Sequence, residues 1–236
     1  MSNNPRFLSP EIPSIGSTLT LDSEQSAHCV RVLRLREGDS VSVINGNGCL
    51  GEGIIREANP KRTMIEVKSV ESQGTASQVQ VAFGLTKPIA LELIFRKCTE
   101  LGIASFQPLI TDHSLHPDSW NEERWQKIVV EACKQSQELW FPKIFAPISL
   151  ETWLKERPAE HALVICDEVF RKTQSHIKLS APTDILIGPE GGWSESERKL
   201  FSGLNPFTLG LGPNRLRAET ACLVALALVK SRLGEI

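Results

Sequence analysis

Two short apolar runs in this chain break directly into glycine. Ile185-Leu186-Ile187 leads into Gly188-Pro189-Glu190-Gly191-Gly192-Trp193, and Leu209-Gly210-Leu211-Gly212 leads on to Arg217-Ala218-Glu219-Thr220-Ala221 and a long apolar helix. A strand that ends in glycine exposes main-chain N–H and C=O groups, because no Cβ keeps a ligand away and positive φ is permitted. In an open α/β sheet, ligands bind at such strand ends. The two junctions therefore point to an α/β sheet in the carboxyl-terminal part, with main chain open to a small molecule at its strand ends.

The pattern from Val79 onward agrees. Strands are predicted at Val79 to Leu85, Ser105 to Ile110, His161 to Cys166, Thr183 to Gly188 and Phe207 to Leu211. Helices are predicted between and after them at Ala90 to Leu101, Glu122 to Ser136, Leu150 to Glu156 and Ala218 to Leu233. Ser194-Glu195-Ser196-Glu197 is a capping box opening a further helix. Alternation of this kind predicts a mostly parallel sheet covered on both faces. The last helix, through Leu223, Val224, Leu226, Leu228 and Val229, is apolar nearly all round, so it is either deeply buried or part of a subunit interface.

The first segment reads differently. Val41 to Ile44, Leu50 to Ile55 and Thr63 to Val70 are short β-branched runs, with Asn45-Gly46 as a hairpin signal. A short helix capped by Asp22 or Ser23 is predicted within Ser23 to Leu35. The polar, aperiodic Glu71 to Gln78 reads as a linker. The expected organisation is a small β-barrel domain over residues 1–72 and an α/β domain over residues 73–236.

Composition excludes several classes. The 236 residues are 41% hydrophobic and 23% charged, with no run long enough to span a membrane. Met1 to Pro13 lacks the blocks of a signal peptide, so a cytoplasmic location is expected. Six scattered cysteines without a C-x-x-C pair predict reduced thiols. His113 and His116 lack a carboxylate or thiol cluster, so no metal site is expected. Net charge is −2, yet Arg31, Arg34 and Arg36 lie together with no acid among them: either a solvated face or an anion-binding patch.

The glycine loop lacks the Gly-Lys-Ser/Thr of a P-loop, and G-x-G-x-x-G does not occur. A loop with Pro and Glu offers little to an anion and suits a neutral or cationic ligand. On its residues alone it is either a structural turn or a ligand loop, and the second glycine cluster tips the reading toward a ligand.

Taken together, GPEGGWSESE, LGLG followed by LRAETA, and KCTELGIASFQPLI from Lys97 to Ile110 resemble the 16S rRNA uridine-N3 methyltransferase family of the SPOUT class. The segment from His28 through Arg31, Arg34 and Gly38-Asp39 to Asn45-Gly46-Asn47-Gly48, with the Arg6-Phe7 opening, resembles that family's amino-terminal PUA-like RNA-binding domain. The likeness covers nearly the whole chain. It implies S-adenosylmethionine as methyl donor, a carboxyl-terminal trefoil knot, a homodimer, and 16S rRNA of the small ribosomal subunit as substrate.

The resemblance also assigns roles. Three loops would hold the donor: Cys166 and Asp167; Ile187, Gly188, Pro189, Glu190, Gly191 and Gly192; and Leu209, Gly210, Leu211, Gly212 and Leu216. Glu190 would either help place the cationic sulfonium or cap the following turn. Arg217 would stabilise negative charge developing on the uracil carbonyls, and Glu219 would either orient Arg217 or accept the N3 proton. Nitrogen attacks directly, so no cysteine nucleophile is needed and Cys98 and Cys222 are core residues. Arg6, Arg31, Arg34 and Lys87 are RNA-binding positions, with Arg31 and Arg34 as phosphate contacts. Lys97 would touch phosphate or pair with Glu100, and His28 would stack on or hydrogen-bond RNA, or cap a helix.

Three positions depart from the family pattern. Asn214-Arg215 stands where Arg-Ile is usual, Glu138 replaces a cation, and Asp112-His113-Ser114 replaces Glu-Arg-Ser. Fewer cations at these positions would weaken phosphate binding or mark a different RNA surface. Glu138 and Asn214 support one alternative: an RNA-binding ribosome-assembly factor of the same fold with lost or altered methylation.

Overall fold

The computed structural model describes residues 4–168, 179–204 and 206–236. The chain divides into two compact units, Met1–Ala76 with Gln137–Phe141, and Ser77–Ser136 with Pro142–Ile236.

The first unit is one five-stranded sheet in the order β1-β3-β4-β5-β2. Its strands are β1 (Arg6–Leu8), β2 (Thr18–Thr20), β3 (Ser40–Ile44), β4 (Cys49–Glu57) and β5 (Met64–Ser72). β1 pairs parallel with β3 and the other pairs are antiparallel. Alternation turns Ile65 and Val67 inward, where they pack with Phe7, Leu19, Val41, Val43 and Ile55. The hairpin signal at Asn45-Gly46 is met by the β3–β4 connection, with both Gly46 and Gly48 at positive φ. The short helix predicted within Ser23 to Leu35 is present. α1 (Ser23–Ala27), capped by Asp22, gives way to a π-helical turn at His28–Val32. Arg34 then enters the left-handed region at φ 56°, and Leu35 donates back to the Cys29 carbonyl, which ends the helix.

The second unit is a seven-stranded sheet whose pairings are all parallel, ordered β12-β10-β11-β6-β7-β8 with β9 also on β7. The strands are β6 (Val79–Gly84), β7 (Ser105–Ile110), β8 (Lys143–Ile144), β9 (Ile148–Ser149), β10 (Ala162–Cys166), β11 (Thr183–Ile187) and β12 (Phe207–Thr208). The helices are α2 (Pro88–Glu100), α3 (Glu122–Ser136), α4 (Leu150–Glu156), α5 (Glu195–Phe201) and α6 (Ala218–Leu233). β11 is buried along its whole length, as a strand covered on both faces must be. One face packs Trp153, Leu163, Ile165, Leu186, Trp193 and Phe201. α6 lies against β6, β11 and α2. Its Cys222, Ala225, Leu226 and Val229 are buried while Leu228 is exposed. Lys230 in its last turn, itself buried, donates to the Gly102 carbonyl at 2.6 Å. Among the described residues no helix is long and apolar enough to cross a membrane.

Candidate functional site

The C-terminal ends of β10 and β11 and the turn between β12 and α6 border a cleft that is open to solvent. β10 contributes Cys166 and Asp167. The loop after β11 contributes Ile187, Gly188, Pro189, Glu190 and Gly192. The third loop contributes Leu211, Gly212 and Leu216. Three residues of the predicted set are not on this wall. Leu209 is buried and continues the sheet, donating to the Ile165 carbonyl at 3.0 Å. Gly210 is buried beside it. Gly191 faces His113 instead. Conversely, Glu168, Trp193, Asn214, Arg215, Ala218 and Ala221 line the cleft although they were not among the expected donor-holding residues.

Close packing explains why this rim is built from glycine. A Cβ on Gly84, the last residue of β6, would lie 2.7 Å from the Pro189 nitrogen. A Cβ on Gly188 would lie 3.1 Å from the Trp193 ring. Trp193 stacks edge-on against Phe201 at 5.3 Å, and its indole N–H is buried without a hydrogen-bond partner among the described residues.

The loop after β11 is braced from several sides. The Glu190 carboxylate accepts from the Thr86 hydroxyl at 3.0 Å and lies 3.9 Å from the Lys87 ammonium. It therefore does not cap the next turn; the Gly192 N–H instead bonds the Pro189 carbonyl. Arg215 donates to the Glu190 carbonyl at 3.1 Å and pairs with Glu168 at 2.7 Å. His113 Nδ1 lies 3.1 Å from the Gly192 carbonyl, and a Cβ on Gly191 would meet the His113 Cβ at 2.7 Å. Asp112 accepts from Ser194 and Ser196 at 2.5 and 3.2 Å, and these bonds hold its carboxyl below the usual carboxylate range. Both halves of the expected capping box at Ser194 and Glu197 are present. Asp167 is gripped by both arms of Arg198, at 3.0 and 3.2 Å, tying α5 to the end of β10.

These contacts give the unusual residues local partners. Arg215 bridges two loops of the cleft, and His113 props the glycine loop. Glu138 accepts from the N–H groups of Leu139 and Trp140, both at 2.9 Å, and shapes a turn.

Arg217 occupies the N-cap position of α6 between the cleft residues Leu216 and Ala218. It is exposed and makes no hydrogen bond or ion pair among the described residues. Glu219, in the first turn of α6, is half-buried and forms no ion pair with Arg217. The helix-start salt bridge that two such charges could make is absent here. Cys166 on the wall is buried, and burial pushes its thiol up, so at neutral pH it is no nucleophile. Burial does the same to Cys98 and Cys222 in the core. Among the described residues the six cysteines form no disulfide.

The other sequence-derived positions behave individually. Lys97 gives both contacts to Glu100, at 2.8 and 2.9 Å. Lys87 stands at the N-cap of α2. In the first unit, His28 marks the boundary of α1 through its main-chain N–H and leaves its imidazole exposed. Arg31 and Arg34 are exposed and unpaired among the described residues. Arg6 is half-buried, and burial lowers its pKa against the opposing pull of Glu52. His116 pairs with Asp118 at 2.8 Å, so the two imidazoles go to separate partners.

A parallel α/β sheet with a glycine-walled cleft at its strand ends, preceded by a small β unit, matches a known class. The profile of the RNA methyltransferase domain matches residues 73–230, and that of the RNA methyltransferase PUA domain matches residues 21–67. The chain belongs to this RNA methyltransferase family. Ribosomal RNA small subunit methyltransferase E of Synechocystis sp. is 34% identical over 227 residues, covering 93% of this chain and 75% of that one. The protein of the same name from Rickettsia conorii is 31% identical, covering 91% and 90%. A crystal structure of ribosomal RNA small subunit methyltransferase E from Neisseria gonorrhoeae, bound to S-adenosyl methionine, superposes with a TM-score of 0.88 at 25% identity, covering 97% and 98%.

Proposed function

We propose that this protein transfers a methyl group from S-adenosylmethionine to N3 of a uridine in 16S rRNA of the small ribosomal subunit. The observation that carries the proposal is the cleft itself: three loops at the strand ends, with an unpartnered Arg217 at its border.

The cleft residues fit the donor. The glycines leave main chain open to an adenine edge and ribose. The indole N–H of Trp193 is a buried donor without a partner among the described residues. Asp167 and Glu190 set carboxylates on the wall that would face a cationic ligand. Ile187 to Glu190, Gly192, Leu211, Gly212, Leu216, Cys166 and Asp167 would hold it, with Gly191, Leu209 and Gly210 supporting from behind. When bound, the donor supplies an electrophilic methyl carbon on a sulfonium.

The protein's own task is to place and activate the base. The imide N–H of uridine is weakly acidic, so N3 must lose its proton on or before attack. Arg217 stabilises the negative charge that develops on the flanking carbonyl oxygens. Glu219, not engaged by Arg217, accepts the proton. Holding N3 close to the methyl carbon supplies the remaining advantage. Residues 1–72 act as a PUA-like RNA-binding β-barrel and residues 73–236 as the methyltransferase domain. Arg6, His28, Arg31, Arg34, Lys87 and Lys97 contact the RNA, mostly through phosphate.

The protein works as a cytoplasmic homodimer with a trefoil knot in its carboxyl-terminal domain. The exposed apolar residues Ile89 and Leu93 on α2 and Leu228 on α6 support a subunit interface. The alternative of an RNA-binding factor without turnover rested on Glu138 and Asn214-Arg215. Glu138 has main-chain partners of its own, and the likeness to named methyltransferases favours turnover over that alternative.

The deciding experiment is nucleoside mass spectrometry of small-subunit rRNA from cells with and without the gene. Loss of 3-methyluridine is expected. An unchanged 3-methyluridine level, or loss of a different modified nucleoside, would overturn the assignment.

A further inference from the structure

We infer that Arg215 and Glu168 form an ion-pair latch at the mouth of the cleft, which narrows the opening and slows the entry of the donor and the exit of the product. The inference rests on the donor reading of that cleft.

One guanidinium joins three walls. Arg215 lies in the turn between β12 and α6. Its Nε meets Glu168, just beyond β10, at 2.7 Å. Its Nη2 donates to the carbonyl of Glu190, in the loop after β11, at 3.1 Å. All three residues line the cleft. Glu190 is held from the other side by Thr86 and Lys87. The result is a row of alternating charges, Lys87, Glu190, Arg215 and Glu168, spanning the rim. A planar fork with several donors can serve two acceptors at once, which a lysine ammonium does less well.

The strength of the pair suits a part that opens. The side chains of Arg215 and Glu168 are 64% and 47% exposed. An exposed pair is weak and screened by salt, so it closes the rim without sealing it. Neither side chain belongs to the hydrophobic core around Trp193 and Phe201, so their removal need not unfold the domain.

A latch has a kinetic signature that a merely structural contact lacks. Removing it speeds both entry and exit and changes affinity less than either rate. The test is rapid-mixing measurement of S-adenosylmethionine association, and of its release into excess unlabelled compound, on the full chain. Arg215→Ala and Glu168→Gln should each raise both rates about two- to five-fold at low salt. Arg215→Lys should fall between them and the parent. The differences should shrink toward roughly 1 M salt. The double charge reversal, Arg215→Glu with Glu168→Arg, should recover part of the slow release. Unchanged rates in folded variants, or faster release without faster entry, would overturn the latch alone. Absence of donor binding by the unaltered chain would sink both the latch and the donor reading.

Discussion

The two ends of the seven-stranded sheet each carry an arginine–carboxylate pair, and the pairs do opposite work. At the N-terminal end, Arg157 bonds Asp184 at 3.1 Å and the His161 carbonyl at 2.6 Å, while His161 Nδ1 lies 3.2 Å from the other oxygen of Asp184. Those side chains are 9% and 4% exposed for the arginine and the aspartate. At the C-terminal end, Arg215 and Glu168 meet in solvent. The chemistry is the same and the surroundings differ. Buried, such a pair is costly to break from one side because the partner is left as an uncompensated charge. Exposed, it contributes little to stability and is free to open. The sheet keeps its rigidity at one end and its chemistry at the other.

That contrast can be broken in order of expected effect. Asp184→Ala should lower stability by about 3–5 kcal/mol, read from urea denaturation. The fraction that stays folded should bind donor normally, since the cleft lies at the opposite strand ends. Arg217→Ala should leave stability and donor affinity almost unchanged while lowering turnover on small subunits by roughly 10²-fold or more, the scale of losing one charge-stabilising donor. Equal loss of donor affinity would place Arg217 among the donor-holding residues instead.

Gly84→Ala sits between these extremes. Its Cβ must displace Pro189, so a stability loss of about 1–3 kcal/mol is expected from overpacking, together with weaker donor binding by calorimetry. Replacing Arg31 and Arg34 by alanine should leave the cleft untouched. RNA affinity should fall, and the slope of log affinity against log salt should flatten by about 1.4 for two lost single-strand phosphate contacts. The smallest effect is a pH effect. Burial raises the thiols of Cys98, Cys166 and Cys222 above their unfolded values. The stability they contribute is fully present below about pH 8.5, the unfolded thiol value. It is lost as pH climbs from there toward the raised folded values. Urea midpoints at neutral and alkaline pH would show the decline.

The α/β unit was legible in the sequence because its strands are continuous apolar runs and its helices are long. β7, α3, α4 and α6 fall at the predicted bounds. The short edges were not. β1 and β2 have three residues each and β8 and β9 have two, too few for any periodicity to register. The return of Gln137–Phe141 to the first unit was equally hidden. There Phe141 packs over Gly46 and Trp140 over Gly48, where a Cβ would come within 2.5 and 2.4 Å of the rings. Those hairpin glycines read as turn residues, and nothing local says that aromatic rings far along the chain need the space.

The site divided in the same way. Its glycine loops were readable because glycine at a strand end has a main-chain consequence. Its braces were not, because Arg198 on Asp167, His113 on Gly192 and Thr86 on Glu190 join residues 31, 79 and 104 positions apart. His113 and Glu138 read as lost cations from the sequence, whereas the fold gives each a main-chain partner.

Titration calorimetry of the full chain with S-adenosylmethionine, in parallel with Gly188→Val, tests the central claim most directly. The account predicts one donor bound per chain by the unaltered protein. It predicts severely weakened binding by the variant, whose added side chain is forced against the Trp193 ring. No heat with the unaltered chain, or equal affinity in a folded variant, would contradict it.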